Sequence, residues 1–303
     1  MRVWRFRFLA VVFLLLTIVA CATSQEKART KLNEMNVAYD ENSFVQKASE
    51  GDVKAVDLFV QSGIDPNVTD EKGNTALIAA AKEGHQEIVT LLLDKGANIE
   101  GRDTKFGGTP LIWAAIRGQT ETVKLLLEKG ADINAVEQKN GMSGIILAAI
   151  KGNNEIIQVL LENGADVNSR DNDGRTPLMW AAHHSHTDTV TFLLDKGADL
   201  EAKDSKAGVN ALMSAATTNS VETIKVLLDR GAEIDARAND GKTALILAAF
   251  LGRSGAVQLL IERGANVNAE DNGGRTALSL AKDFGRTNIF EMLVNAGAVE
   301  RGK

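Results

Sequence analysis

The residues of this sequence best suited to chemistry form a histidine cluster in the middle of the chain. His183, His184 and His186 carry imidazoles, which are common metal ligands. His183 and His184 are adjacent rather than four residues apart, and no carboxylate or thiol is placed to complete a site, so we expect no metal. His186 aligns with His85, the start of an ordinary helix, and is expected to be structural. His183 and His184 are expected to line a binding surface, with an inert surface as the alternative.

Other catalytic or cofactor-binding patterns do not stand out from the sequence. Serine, histidine and aspartate all occur, but most of them fall at positions that repeat along the chain, where they have structural explanations. Neither the G-x-x-x-x-G-K-[ST] nor the G-x-G-x-x-G phosphate-binding pattern is present. The formal net charge of −6 argues against nonspecific binding to nucleic acid. We therefore expect a protein with neither catalytic activity nor a cofactor.

The single cysteine, Cys21, follows an N-terminus with the three-part layout of a secretory signal peptide. Three arginines precede an apolar run over residues 8–20, which is shorter than the roughly 20 residues that span a bilayer. Residues 18–21, with the sequence IVAC, resemble the lipobox of bacterial lipoproteins, whose cysteine is acylated and becomes the new N-terminus. We predict a signal peptide over residues 1–20 and lipid attachment at Cys21. Ordinary signal-peptidase cleavage and an uncleaved anchor are the alternatives.

The segment after the cysteine predicts where the protein is held. Residues 21–41 carry few apolar groups and indicate a polar tether that follows the lipidated cysteine. Ala22, rather than aspartate, follows the cysteine, and by resemblance to Gram-negative lipoproteins this favours the outer membrane. We expect an outer-membrane lipoprotein that faces the periplasm, with a soluble periplasmic or secreted protein as the alternative.

From residue 42 onward the sequence repeats. The glycine of each Gly-Ala or Gly-Ile pair recurs every 33 or 34 residues, and a second glycine lies 23 residues before each of the last seven. The extra residue of the longer intervals therefore falls in one loop, as in a solenoid that occupies residues 42–300. The first series is Gly63, Gly96, Gly130, Gly164, Gly197, Gly231, Gly264 and Gly297.

Each repeat predicts two short helices. In the block that begins at Gly73, Thr75 can cap a small-residue helix that ends at Gly84, and a leucine-rich helix stops at Gly96. Helices of about 8 to 11 residues are too short to be stable alone, so neighbouring repeats must stack to bury their apolar faces. Ser185 occupies a position where a glycine usually ends the first helix, which predicts local strain there.

The third repeat resembles the ankyrin repeat in the order and spacing of its motif residues. The resemblance covers seven full repeats from Asp70 and a first repeat over residues 42–67. It implies an all-α solenoid of about eight helix-turn-helix repeats with short β-hairpin fingers. The histidine of the family's Thr-Pro-Leu-His motif is absent, so apolar packing must replace its polar network. The matching residues are Thr109-Pro110-Leu111, Ala114-Ala115, Gly118, Val123, Leu125-Leu126-Leu127, Gly130-Ala131-Asp132 and Asn134.

The resemblance also implies a binding surface, because the two residues that follow the alanine pair face the concave groove in this family. Several of them are apolar here, and two tryptophans lie three or four residues earlier on the same helical face. Apolar and aromatic groups within a polar rim are typical of a binding site; packing between repeats is the alternative for the tryptophans. The predicted partner-binding residues are Phe106, Trp113, Ile116, Arg117, Ile150, Trp180, His183, His184, Phe250 and Leu251.

These observations predict a non-catalytic scaffold, adaptor or inhibitor that binds another protein through its concave groove and fingers. We expect it to be a monomer. The alternative is a self-associating structural protein of the envelope, which would form oligomers without any ligand. An enzyme would need an acid and a base that converge in one pocket, whereas repeats distribute such groups along a line.

Overall fold

The computed structural model describes residues 23–300, which form helices joined by tight turns. The chain divides into two compact units: unit 1 ends at Asp132, and unit 2 begins at Ile133. No helix within residues 23–300 is both long enough and apolar enough to cross a bilayer. The predicted signal peptide and the lipid attachment at Cys21 lie outside the described residues.

The described helices are short and nearly uniform in length. Unit 1 contains α1 (residues 23–34), α2 (Glu41–Glu50), α3 (Val53–Gln61), α4 (Ala76–Glu83), α5 (Gln86–Asp94), α6 (Pro110–Arg117) and α7 (Thr120–Glu128). Unit 2 contains α8 (Gly144–Lys151), α9 (Asn154–Glu162), α10 (Pro177–His183), α11 (Thr187–Asp195), α12 (Ala211–Thr218), α13 (Val221–Asp229), α14 (Ala244–Leu251), α15 (Ser254–Glu262), α16 (Ala277–Asp283) and α17 (Thr287–Asn295).

Helices pair within each repeat and stack between repeats. In unit 1 the first helices α2, α4 and α6 pack side by side, and each also packs on the second helix of its own repeat. In unit 2 the first helices α8, α10, α12, α14 and α16 pack in the same way. The alanine pairs, such as Ala80 and Ala81, are fully buried, so neighbouring first helices approach closely. The predicted all-α repeat fold with eight helix pairs is confirmed for the described residues.

The ends of the first helices follow the chemistry that the sequence predicts. The Thr75 hydroxyl accepts a hydrogen bond from the backbone N–H of Ile78 at 3.2 Å, and Gly84 ends the helix with φ of 81°. Ile78, which replaces the family's histidine, is fully buried, so the core there is apolar. Ser185 and Asn219 occupy the glycine position with φ of 62° and 63°. The predicted strain at Ser185 is therefore present in the backbone.

The fingers between repeats are tighter than the predicted β-hairpins. Residues 23–300 contain no strand, and the fingers contribute isolated antiparallel bridges only. In the second repeat, the Asp70 carboxylate accepts hydrogen bonds from the backbone N–H groups of Lys72 and Asn74, at 3.0 and 2.8 Å. This local turn leaves too few residues for a ladder. The bridges join Thr69 to Thr75, Val136 to Ser143 and Glu270 to Thr276.

The polar tether predicted over residues 21–41 is wrong for the part that the structure describes. Residues 23–34 form α1, whose Ala28 and Leu32 lie four residues apart on one face and are buried. The Arg29 guanidinium and the Tyr39 hydroxyl both donate hydrogen bonds to the Ser62 carbonyl oxygen, at 3.2 and 3.1 Å. The fold therefore begins before residue 42, and α1 packs on the first repeat.

Candidate partner-binding surface

The Trp113 side chain is anchored at one edge and carries a cation over its face. Pro110 and the Thr109 cap begin α6 and place Trp113 one helical position before the alanine pair. Its indole N–H donates a hydrogen bond to Asp103 Oδ2 at 2.8 Å, and the edge of its ring meets Phe106 with centroids 5.8 Å apart. Lys82 Nζ lies 3.7 Å from the ring centroid on the indole face. We call these four residues, Lys82, Asp103, Phe106 and Trp113, the Trp113 cluster.

Asp103 holds the finger and the tryptophan together. Its side chain is nearly fully buried and accepts hydrogen bonds from the backbone N–H groups of Lys105, Phe106 and Gly108, as well as from Trp113. Burial alone would raise the pKa of Asp103, but these hydrogen bonds hold it below the ordinary value of 3.8. The carboxylate is therefore ionised at neutral pH, and its bonds fix the orientation of the indole.

A cleft of about 600 Å³ lies beside this cluster in unit 1. One wall comes from α2, with Asn42, Gln46 and Ser49, and the other side is lined by the Asp70 finger, Lys82 and Arg117. Ile116 is half-buried and Arg117 is exposed. The cleft is therefore polar. Its lining carries three cations, Lys72 on the finger, Lys82 in α4 and Arg117 at the end of α6, and the two finger acids Asp70 and Glu71.

Unit 2 repeats the tryptophan arrangement with different neighbours. The Trp180 indole N–H donates to Asp171 Oδ2 at 2.9 Å, and the Arg175 guanidinium carbon lies 4.9 Å from the ring centroid. His184 stacks on the ring at 6.0 Å between centroids, and His183 meets it edge-on at 6.1 Å. We call Asp171, Arg175, Trp180, His183 and His184 the Trp180 cluster. A cleft of about 330 Å³ opens beside it, lined also by Lys206 and Thr217.

The histidines of the Trp180 cluster favour the neutral form. Partial burial and the nearby Arg175 lower the pKa of His183 below its ordinary value of 6.5. Burial also lowers the pKa of His184, and the charges of the neighbouring His183, His186 and Lys151 lower the pKa of His184 further. His186 instead has a structural contact, because its Nε2 lies 2.9 Å from the Ile150 carbonyl oxygen. Residues 23–300 contain no group of three histidine, cysteine or acidic side chains arranged to hold a metal ion.

Another aromatic contact in unit 2, outside the Trp180 cluster, includes a residue that the sequence analysis missed. Phe250 meets Phe284 edge-on, with ring centroids 4.8 Å apart, and Phe284 is 51% exposed. Leu251 and Ile150 are half-buried on the same type of helix end. Alignment on the Thr243 and Thr276 caps would have found Phe284, because it takes the place of Leu251 in the last repeat.

The structure groups some of the predicted residues and leaves others separate. In unit 1, Phe106 and Trp113 are in contact; in unit 2, Trp180, His183 and His184 are in contact. Ile150 belongs to neither the Trp113 cluster nor the Trp180 cluster. The predicted set also lacked Lys82, Asp103 and Asp171, which fix the tryptophans. The sequence signal for the two acids is their recurrence at the start of a finger, nine or ten residues before a tryptophan. These clusters can bind a partner by aromatic, cationic and apolar contact.

Comparison with known proteins gives a consistent family assignment. A family model described as ankyrin repeats matches three times, over residues 44–137, 133–204 and 212–301. Serine/threonine-protein kinase 12 of Arabidopsis thaliana is 41% identical over 56 residues, which is 18% of this chain and 12% of the kinase. An ankyrin repeat-containing protein of Schizosaccharomyces pombe is 42% identical over 56 residues, 18% of this chain and 27% of the relative.

A bacterial relative matches over a similarly short stretch. A putative ankyrin repeat-containing protein of Treponema pallidum is 30% identical over 73 residues, which is 24% of each chain. The matched segments thus span about a quarter or less of the length of these three relatives. They correspond to about two repeats, so they carry the fold and not the activity of a whole protein.

Proposed function

This chain belongs to the ankyrin-repeat family, whose repeats generally mediate protein–protein interactions, and we propose that it is a non-catalytic adaptor or inhibitor that binds one partner protein. The partner contacts the ends of the first helices and the adjacent fingers. The observation that carries the proposal is the pair of half-buried tryptophans, each tied by its indole N–H to a finger aspartate. A fixed aromatic ring within a polar rim loses little conformational entropy on binding.

Site-specific photo-crosslinking tests this proposal in the host cell envelope. A photoreactive phenylalanine analogue replaces Ile150 or Phe250 on the first helices, or Lys225 on the second helix α13 as the control. We expect one partner protein to be crosslinked from the first two positions and not from Lys225. Crosslinking from Lys225 alone would place the interface on the second helices and overturn the proposal.

The energetic test is the removal of one aromatic group. Interface energy concentrates in a few central aromatic residues, so Trp180→Ala should weaken partner binding by about 1 to 2 kcal/mol or more. Since the indole also holds Asp171, binding must be compared at matched folded fraction by circular dichroism. If Trp180→Ala combined with Phe250→Asp leaves partner binding unchanged in the folded protein, the site lies elsewhere.

We further propose that the protein is exported and anchored at the outer membrane through acylated Cys21. The proposal rests on the sequence of residues 1–21, with its basic start, short apolar run and lipobox-like end. The position of α1 adds one consequence. Because α1 begins at residue 23 and packs on the first repeat, an acyl chain at Cys21 would hold that repeat close to the membrane surface.

Self-association in the envelope is the second candidate function. Three apolar residues near the end of the described chain, Phe284, Val294 and Val299, are 51, 45 and 59% exposed. Exposed apolar side chains close together in sequence favour contact between chains. Light scattering over a range of protein concentrations tests this alternative. Oligomers that dissociate in the Phe284→Asp variant would support self-association over the monomeric adaptor.

A further inference from the structure

We propose that the cleft of unit 1 binds a carboxylate side chain of the partner between Lys82 and Arg117, so that the partner presents an acidic segment to α4 and α6. This inference rests on the proposed function and names the chemistry of its partner. The occupant is a protein segment rich in glutamate or aspartate.

The Lys82 ammonium is held in place but is not fully satisfied. Its Nζ donates a hydrogen bond to Asn74 Oδ1 at 2.6 Å and lies 3.7 Å from the Trp113 ring centroid. An ammonium has three N–H donors, and these two contacts use two of them. Because Lys82 lines the cleft, the third donor can serve a ligand there. The half-buried stem and the two contacts fix its position before any ligand arrives.

Arg117 supplies a second cation that has no acidic partner. Within residues 23–300 its guanidinium forms neither a hydrogen bond nor an ion pair. It lines the same cleft as Lys82. Burial is the main reason that the pKa of Lys82 falls below its ordinary 10.5, and the charge of Arg117 lowers it further, while Asp103, Asp70 and Glu83 act in the opposite direction. Lys82 and Arg117 therefore place two like charges on the same cleft.

The acids Asp103, Asp70 and Glu71 are already engaged by other donors, whereas Glu83 is exposed to solvent. Asp103 accepts hydrogen bonds from three backbone N–H groups and from Trp113, and Asp70 accepts from the turn that it closes. Glu71 accepts a hydrogen bond from the Asn42 side chain at 3.1 Å. A carboxylate from outside would relieve the repulsion between Lys82 and Arg117 and complete their hydrogen bonding. Arginine can bind such a group with two parallel bonds.

The size and walls of the cleft favour a peptide over a small ion. Its volume of about 600 Å³ is large enough for several residues, and Asn42, Gln46 and Ser49 on α2 offer neutral donors and acceptors along one wall. The chain as a whole carries a net charge of −6, which would repel an acidic partner at long range. Salt screens that repulsion beyond about 8 Å, so the local cations decide the contact.

Fluorine NMR of the full chain labelled with 5-fluorotryptophan tests the proposal. The full chain has three tryptophans, Trp4, Trp113 and Trp180. Trp4 lies in the proposed signal peptide, so a processed sample shows only the other two resonances, which phenylalanine substitution assigns. The probe is tetraglutamate with blocked ends, and tetraglutamine is its neutral control. We expect tetraglutamate to shift the Trp113 resonance saturably and tetraglutamine to leave it unchanged.

Charge-removing variants identify the groups that bind the probe. Lys82→Met keeps the apolar stem over Trp113, and Arg117→Gln keeps a polar side chain; each should weaken tetraglutamate binding by about 10-fold or more, since each removes a charge-assisted hydrogen bond. Lys225→Gln, an exposed lysine on α13, should change nothing. Far-UV circular dichroism, together with an unshifted Trp180 resonance, shows that the variants are folded. The proposal is overturned if tetraglutamate causes no saturable shift, if both variants bind it normally, or if inorganic phosphate shifts Trp113 and tetraglutamate does not.

The two proposals fail in different ways. If no partner is crosslinked from Ile150 or Phe250, the proposed function fails. If a partner is crosslinked but the yield is the same in the Lys82→Met/Arg117→Gln double variant, the adaptor function stands and the acidic-segment inference fails. A lower yield in the double variant than in Lys225→Gln supports both.

Discussion

The contact between α1 and the first repeat leads to the sharpest stability prediction. Leu32 is completely buried although it lies in a segment whose composition suggests a tether. We expect Leu32→Ala to destabilise the protein, whereas Glu34→Ala, an exposed position on the same helix, should have almost no effect. Both substitutions favour a helix equally, so helix propensity cannot account for the difference.

The magnitude follows from burial and hydrogen bonding. Truncation of a buried leucine to alanine costs about 2 to 5 kcal/mol, and the lower end applies here because a terminal helix can shift to fill the cavity. Tyr39→Phe is an independent perturbation: it removes the hydroxyl that donates to the Ser62 carbonyl but keeps the ring stacked on Phe59. The loss of that hydrogen bond should cost about 0.5 to 1.5 kcal/mol.

Thermal unfolding followed by circular dichroism measures these effects. For a domain of this size, about 1 kcal/mol corresponds to a shift of roughly 2 to 4 °C in Tm, so Leu32→Ala should lower Tm by about 4 °C or more. Hydrogen exchange should rise first in α2 and α3, the helices of the repeat on which α1 packs. Equal melting temperatures for Leu32→Ala and Glu34→Ala would refute the docking of α1 and restore the tether.

Four further predictions test the anchor, the core, the turns and the pH response. Cys21→Ser should move the protein from the membrane to the soluble fraction, measured by fractionation, because it removes the acyl chains. Leu126→Ala, at a fully buried position, should cost about 2 to 5 kcal/mol in urea unfolding. Gly231→Ala should cost about 1 to 2 kcal/mol by the same assay, since φ is 90° there and a Cβ would meet no neighbour. The lowered pKa of His183 means that the unfolded chain binds protons first as pH falls, so the free energy of unfolding should decline below about pH 6.5, and His183→Gln should reduce that decline.

Most of the fold could be predicted because the same sequence signals recur in each repeat. Glycines at fixed spacing, threonine caps and alanine pairs recur, so one error in one repeat is corrected by the others. The segment before residue 42 occurs once and lacks that support. Its signal for burial is only Ala28 and Leu32 at a spacing of four, which many exposed helices also show. The prediction of β-hairpin ladders was wrong for a local reason, because Asp70 closes its finger within a few residues.

The candidate site was less predictable than the fold, because side-chain contacts between repeats depend on register in three dimensions. The helical position of Trp113 follows from its sequence spacing, but the approach of Lys82 from the preceding repeat does not. Asp103 is understandable from sequence as a turn residue. Its second role, the hydrogen bond to the indole, requires the finger to fold back onto α6. The sequence shows these residues, but it does not show which of them contact one another in the folded protein.

The tryptophan geometry combines features of a core residue with features of a surface residue. The indole edge of Trp113 is bound to buried Asp103, and the indole edge of Trp180 is bound to Asp171, as expected for a packed residue. The ring faces nevertheless carry cations, Lys82 on one and Arg175 on the other. A ring that is fixed at its edge presents its face, and the cation over it, in one orientation. The same hydrogen bond that stabilises the finger would therefore also pre-organise the proposed binding surface.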